Sequence, residues 1–221
     1  MSDYKKKDTF ITPAGTFKWA SLGKPDTKFK AEGEYRVTMS LPKDAPETVK
    51  FLTKLDADHT TAIRAVKEQL TADPKTKAKV KTIKTSNLPY KPELDQEGNE
   101  TGNILVNFKA KASGVRQDKT AWSFKPGVFD AKCNPIPSTV GIWGGSKGKV
   151  AYQVDSYYVS ASQEAGLSLK LQAAKILDLK SGSGKDAASF GFEEEEGYSS
   201  EPTAGEPSVG GAESPADGGD F

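Results

Sequence analysis

The sequence predicts a mainly β protein: a small curled barrel of five to six strands, interrupted by one long helix and followed by a disordered acidic tail. Three observations predict it. Four segments alternate apolar and polar residues, as strands with one buried face do. A single segment, 45–72, repeats apolar residues at helical spacing. From residue 181 the chain is built largely of Gly, Ser, Pro, Ala and Glu, with too little apolar surface to offset the entropy of ordering.

The elements follow in order. "FITPAGTFKWASL" (10–22) is a short strand candidate. "EYRVTMSL" (34–41) turns Tyr35, Val37, Met39 and Leu41 to one face and Arg36, Thr38 and Ser40 to the other. The helix places Val49, Leu52, Leu55, Thr60, Ile63, Val66 and Leu70 on its apolar side, starts at Pro46-Glu47 and stops at Asp73-Pro74. The lysine-dense "KTKAKVKTIK" (75–84) reads as loop or edge strand. "NILVNFKAKAS" (103–113) faces Ile104, Val106, Phe108 and Ala110 inward, and Asn107, Lys109 and Lys111 outward. "TAWSFKPGVF" (120–129) is a second short candidate. "KGKVAYQVDSYYV" (147–159) buries Val150, Tyr152 and Val154, and "GLSLKLQAAKILDL" (166–179) sets Leu167, Leu169 and Leu171 against Ser168, Lys170 and Gln172.

A parallel α/β sheet needs a helix at nearly every crossover, and this chain offers one. An OB-fold-like five-stranded barrel has the right content. Residues 1–180 are therefore expected to form the domain and 181–221 the tail. "SGSG" at 181–184 separates them as a flexible linker.

Charge divides at the same point. All 31 Lys and Arg precede residue 186, against 20 acidic residues there, for a formal charge of +11. Residues 186–221 carry the other ten acids and no base. A basic body implies an anionic partner, and an acidic tail can imitate that partner. One cysteine, Cys133, rules out an intrachain disulfide and suggests a reducing setting. No apolar run approaches a membrane span, and "MSDYKKKDTF" lacks a signal-peptide core.

Enzyme chemistry finds few residues to use. His59 is the only histidine; it lies on the helix and is expected to be exposed or half-buried there. One His and one Cys make neither a zinc cluster nor a catalytic triad, so no metal or cofactor is expected. "GGSKGK" (144–149) lacks the spacing of a phosphate-cradling loop and precedes a strand rather than a helix.

Binding chemistry finds more. Single-stranded nucleic acid needs cations for phosphates and aromatic faces for unstacked bases. Here they interleave: Lys18 with Trp19; Arg36; Lys109 and Lys111 on one outward face; Arg116 before Trp122 and Phe124; Trp143 before Lys149; and the adjacent Tyr157 and Tyr158, one of which must face away from the core. Trp19 stands open between core and binding face, and Trp143 serves equally well as a plug for a barrel end.

"GIWGGSKGKVAYQVDSYYVSASQEAGLSLKLQAAKILDL" (141–179), with the opening "PAGTFKWASLGKPD" and "GEYRVTMSLP" before a long helix, resembles the single-stranded DNA-binding proteins of short-tailed coliphages. The closing "DGGDF" is similar to that family's acidic tail with an aromatic tip. The resemblance implies an OB-fold body that coats single-stranded DNA during phage replication and recombination, in the cytoplasm of the infected bacterium. It implies Tyr157 as a DNA-contacting aromatic and Lys109 and Lys111 as part of a basic strand. It also implies a tail, with Asp217, Asp220 and Phe221, that competes with DNA and contacts phage or host DNA polymerase and helicase-primase; a homodimer stays open. The tail serves otherwise as a solubility device. An RNA-binding OB protein, a strand-annealing protein and a structural phage protein without a nucleic-acid role remain as alternatives.

Overall fold

A computed structural model describes residues 8–28, 30–116 and 118–180. The expected acidic tail, with Asp217, Asp220 and Phe221, lies outside the described residues. In chain order the elements are β1 (Thr9–Ile11), β2 (Gly15–Asp26), β3 (Glu34–Pro42), α1 (Pro46–Ala72), a 3-10 helix (Lys77–Thr82), β4 (Lys84–Thr85), β5 (Tyr90–Leu94), β6 (Glu100–Lys111), β7 (Ser113–Val115), β8 (Ala121–Ser123), β9 (Gly127–Phe129), β10 (Lys147–Val159) and β11 (Glu164–Asp178).

Five strands close on themselves. β2 pairs β3, β3 pairs β6, β6 pairs β11, β11 pairs β10, and β10 returns to β2 at Lys147–Thr16 and Gly148–Gly15. All pairings in this ring are antiparallel except β6–β11, which is parallel at Lys109–Lys170. This is the five-stranded OB barrel, with its helix between the second and third barrel strands. The inward residues are those the alternation assigns: Phe17, Val37, Met39, Val106, Phe108, Val150, Tyr152 and Leu171, all fully buried. Tyr152 is the hub, with ring centroids of Phe108, Phe10 and Phe51 at 5.3, 5.8 and 6.0 Å.

The helix differs in phase from expectation. Its buried stripe is Thr48, Phe51, Leu55, His59, Ala62, Ile63 and Val66, whereas Val49 and Thr60 face solvent. Two polar residues on the stripe disguise it. His59 is buried rather than exposed, and its Nε2 shares a 3.0 Å hydrogen bond with Ser86 Oγ, which satisfies both groups. The segment expected as loop or edge strand (75–84) is a 3-10 helix running into β4. Among the described residues, no helix is long and apolar enough to cross a membrane.

"GGSKGK" closes the barrel. The Ser146 carbonyl accepts from Phe17 N, and Gly145 N donates to Phe17 O, at 2.8 Å each. Ser146 is fully buried, and its Oγ accepts from Lys180 N at 3.0 Å. Gly145 takes φ +94°, a region open to glycine. At Gly148 a Cβ would run into the Lys175 carbonyl oxygen and stand 2.8 Å from Phe17 Cζ. Gly148→Ala is therefore expected to cost about 1–3 kcal/mol through overpacking at the closure. Urea denaturation checks this, and an unchanged midpoint would remove Gly148 from the closure.

Candidate nucleic-acid interface

Two depressions lie on the outer face of β6 and β11, of about 530 and about 500 Å³. Both are lined by Lys109 and Ser168, so they form one groove. Strand register builds its floor. Arg36 stands opposite Lys109 across the antiparallel β3–β6 pair, and Lys109 opposite Lys170 across the parallel β6–β11 pair. Because Val37, Phe108 and Leu169 point inward, these three cations must point out. The flanking rows are Glu34–Lys111 on one side and Thr38–Asn107 on the other.

A hairpin walls one end. β7 and β8 pair with Gly114 opposite Trp122, and a Cβ on Gly114 would stand 2.9 Å from the Trp122 ring. The missing side chain lets the indole lie across the hairpin into the groove, beside Phe124, Arg116 and Lys111. At the hairpin tip Arg116 N donates to Thr120 O at 2.9 Å, and Lys119 takes φ +64°. Hydrogen bonds from the backbone and hydroxyl of Thr120, helped by the Arg116 charge, hold the Asp118 carboxyl below its usual range.

The other end carries Tyr157, Tyr90, Leu88 and Lys91. Tyr157 stands opposite Gly166, and its hydroxyl lies 2.8 Å from where a Cβ on Gly166 would be. The Tyr90 hydroxyl donates to Asp56 at 2.9 Å. Burial and that bond push its pKa up to about 12, so it is neutral and fixed in place.

Several groove cations are already paired. Lys30 holds Glu34 at 2.7 Å, Arg36 holds Asp26 at 3.0 Å, Lys170 holds Asp155, and Lys111 stands 3.5 Å from Glu32. Lys109 and Lys91 enter no ion pair among the described residues. Lys109, where the two depressions meet, is thus a central uncompensated charge.

The structure gathers Lys109, Lys111, Arg116, Trp122, Phe124 and Tyr157 in the groove. Arg36 adjoins it by register. Trp19, 62% exposed, pairs with Thr38 in the row that reaches Asn107, so it extends the same outer face. Lys18 stands apart: it grips Glu93 at 2.5 Å in a knot that Ser40 and Asn103 complete. Trp143 lies at the barrel end, where its backbone N–H donates to Lys180 O at 3.3 Å, and it is exposed outside the groove. Lys149 faces Lys175 across β10–β11, outside the groove. Tyr158 follows the inward phase of Tyr152 and Val154, and its buried hydroxyl has no partner among the described residues. Residues that sequence reasoning did not nominate are Lys30, Tyr90, Lys91, Asn107, Ser168, Lys170 and Gln172. Four of them lay on outward strand phases and were readable; Tyr90 and Lys91 belong to β5, an edge strand whose Pro92 disguises it.

A closed OB barrel whose outer face bears cations between aromatic rings defines a class: a binding protein for a charged chain of flat groups. The family profile of the single-stranded DNA-binding protein of bacteriophage T7 matches residues 14–180, and the chain belongs to that family. It is 28% identical over 198 residues to the single-stranded DNA-binding protein of Enterobacteria phage T3, across 84% of this chain and 83% of that one. With the Escherichia phage T7 protein the identity is 28% over 192 residues, covering 81% and 80%. The crystal structure of phage T7 gp2.5, a single-stranded DNA-binding protein, superposes with TM-score 0.65 at 24% identity, over 88% of this chain and 99% of that one. The single-stranded DNA-binding protein of bacteriophage Enc34, in complex with single-stranded DNA, superposes with TM-score 0.51 at 13% identity, over 80% and 89%. The chain is a binding protein and not an enzyme.

The Glu93 knot fixes the side of the sheet next to the groove. Burial opposes ionisation of Glu93, yet hydrogen bonds from Lys18, Ser40 and Asn103 outweigh it and hold the carboxyl below its ordinary 4.5. A depressed folded-state pKa stabilises the fold above the unfolded value; that contribution is lost as pH falls through the lowered one. Stability should therefore drop with acidification below pH 4.5. Glu93→Gln should be less stable at neutral pH and lose less on acidification. Urea midpoints at both pH values test this, and parallel losses in the two proteins would exclude Glu93 as the source.

Proposed function

We infer that this chain coats single-stranded DNA without sequence preference during phage DNA replication and recombination. The observation that carries the reading is the position of Lys109: central, in no ion pair among the described residues, and flanked by Trp122 and Phe124 at one end and Tyr157 at the other. Phosphates take the cations, and unstacked bases take the rings. The names of the T3, T7 and Enc34 proteins support the same ligand. The setting is the cytoplasm of an infected bacterium.

The acidic segment 186–221 is the internal competitor in this reading. It carries ten acids and no base, opposite in sign to the groove. Tethering holds it near the groove at roughly millimolar effective concentration for a short flexible linker. A long DNA strand displaces it and frees it for replication partners, polymerase and helicase-primase.

Titration of labelled oligo(dT) with tryptophan quenching tests the groove. Lys109→Ala with Lys111→Ala should make the salt slope less steep by about 0.7 per lost phosphate contact. Tyr157→Ala should weaken binding by about 1–3 kcal/mol if it stacks on a base. No binding by the unaltered protein would overturn the reading.

The same titration with a chain ending at Lys185 addresses the acidic segment. Tighter, salt-sensitive binding by the shorter chain is expected. Equal binding by the two would leave the segment only a partner-docking or solubility role.

A further inference from the structure

We propose that the lysine ridge 75–84 carries the phosphate backbone of single-stranded DNA beyond the groove, at its Tyr157 end. The proposal rests on the groove reading and adds a second, chemically different section to it. Lys75, Lys77, Lys79, Lys81 and Lys84 are all exposed, and no acidic residue occurs between 74 and 92. None of the five enters an ion pair among the described residues; Glu164, opposite Lys84 in the β4–β11 pair, is not joined to it.

Such a cluster costs the fold energy. A 3-10 helix has three residues per turn and rises about 2.0 Å per residue, so Lys77, Lys79 and Lys81 fan out around its axis while standing roughly 4 Å apart along it. That is inside the Debye length of about 8 Å at physiological salt, and their mutual repulsion is incompletely screened. No ion pair among the described residues relieves it. A polyanion does, and releases its own counterions on binding.

The ridge is anchored and continuous with the groove. Lys84 N donates to Gln163 O at 2.8 Å, and Ser86 N to Ala165 O at 2.9 Å, which ties β4 to the turn between β10 and β11. Lys79 Nζ reaches Ser160 Oγ of the same turn at 3.4 Å. The next residues, Asn87, Leu88 and Pro89, line the groove beside Tyr157. A strand leaving the groove there passes directly onto Lys84 and Lys81.

Composition names the ligand part. Residues 73–86 contain no aromatic, so this section cannot stack bases. Its larger apolar residues, Val80 and Ile83, are half-buried, so it lacks the exposed apolar core that a protein partner needs. Phosphate contact is what remains.

The test compares the full chain with the variant Lys77→Gln, Lys79→Gln, Lys81→Gln, on oligo(dT) of about 6 and about 20 nucleotides, lengths near and beyond the footprint of one barrel. The variant should bind the short strand like the unaltered protein, with the same tryptophan quenching. On the long strand it should bind more weakly, with a salt slope less steep by up to about 2, from about 0.7 per lost contact. Matching urea midpoints confirm that the fold is intact. Unchanged binding and slope on the long strand overturn the proposal and leave the ridge to an acidic protein. Equal weakening on both lengths overturns it as well, since the lysines would then act as a general field. If the unaltered protein fails on the short strand, the groove reading falls and the ridge with it.

Discussion

The outer face depends on one backbone contact, the parallel pairing of β6 with β11 at Lys109 and Lys170. Every other seam of the barrel is antiparallel, and two of them, β2–β3 and β10–β11, join strands adjacent in the chain. The parallel seam joins strands far apart in sequence and links the β2–β3–β6 strands to the β10–β11 hairpin. Side chains alternate along both strands, so burying Phe108 and Leu169 obliges Lys109, Ser168 and Lys170 to face out together. A slip of one residue would bury two lysines and expose the apolar set; the core therefore specifies the register of the binding face. Tyr152, packed against Phe108 and Phe51, is where that constraint is enforced.

Around this seam the charges are sorted. Arg36, Lys30 and Lys170 each hold a carboxylate, which orients them and lowers their pull on an incoming anion. Exposed pairs of this kind add little stability, about 0–1 kcal/mol, so their main effect is to shape the field. Lys109 and Lys91, on the groove floor and rim, enter no ion pair among the described residues. The result is a track in which a few cations attract strongly between rings that are uncharged.

Much of this was legible in the sequence. The four alternating segments correspond to β3, β6, β10 and β11, and their inward residues form the core as read. The outward phase of β6 led to Lys109, and the same logic on β11 held Ser168, Lys170 and Gln172. Other features were not legible, for physical reasons. The helix stripe includes Thr48 and His59, whose burial depends on a partner in a distant segment, Ser86 in the case of His59. β5 contains Pro92 and exists because β6 accepts it as an edge. Gly114 and Gly166 shape the groove by lacking side chains, and only the register shows which ring each admits. Lys149 and Lys109 look alike in sequence, and only closure of the barrel separates the groove from the opposite flank. The lysines of 75–84 looked like an ordinary solvated loop until β4 tied them to the Tyr157 end.

The groove's polar side chains bear on why a protein of this kind would read no sequence. Bidentate recognition of adenine needs a side-chain amide free to align both its oxygen and its nitrogen. Asn107 accepts the Thr38 hydroxyl at 2.5 Å, and the Gln172 amide donates to Leu171 O at 3.1 Å. Each amide is pinned through one of its two atoms to its own sheet. Ser168 presents a single hydroxyl, which suits any base. What the groove leaves available is charge and flat apolar surface, and every nucleotide offers a phosphate to the one and a ring to the other. In the proposed reading, sequence tolerance would follow from the sheet satisfying its own hydrogen bonds, not from looseness in the site.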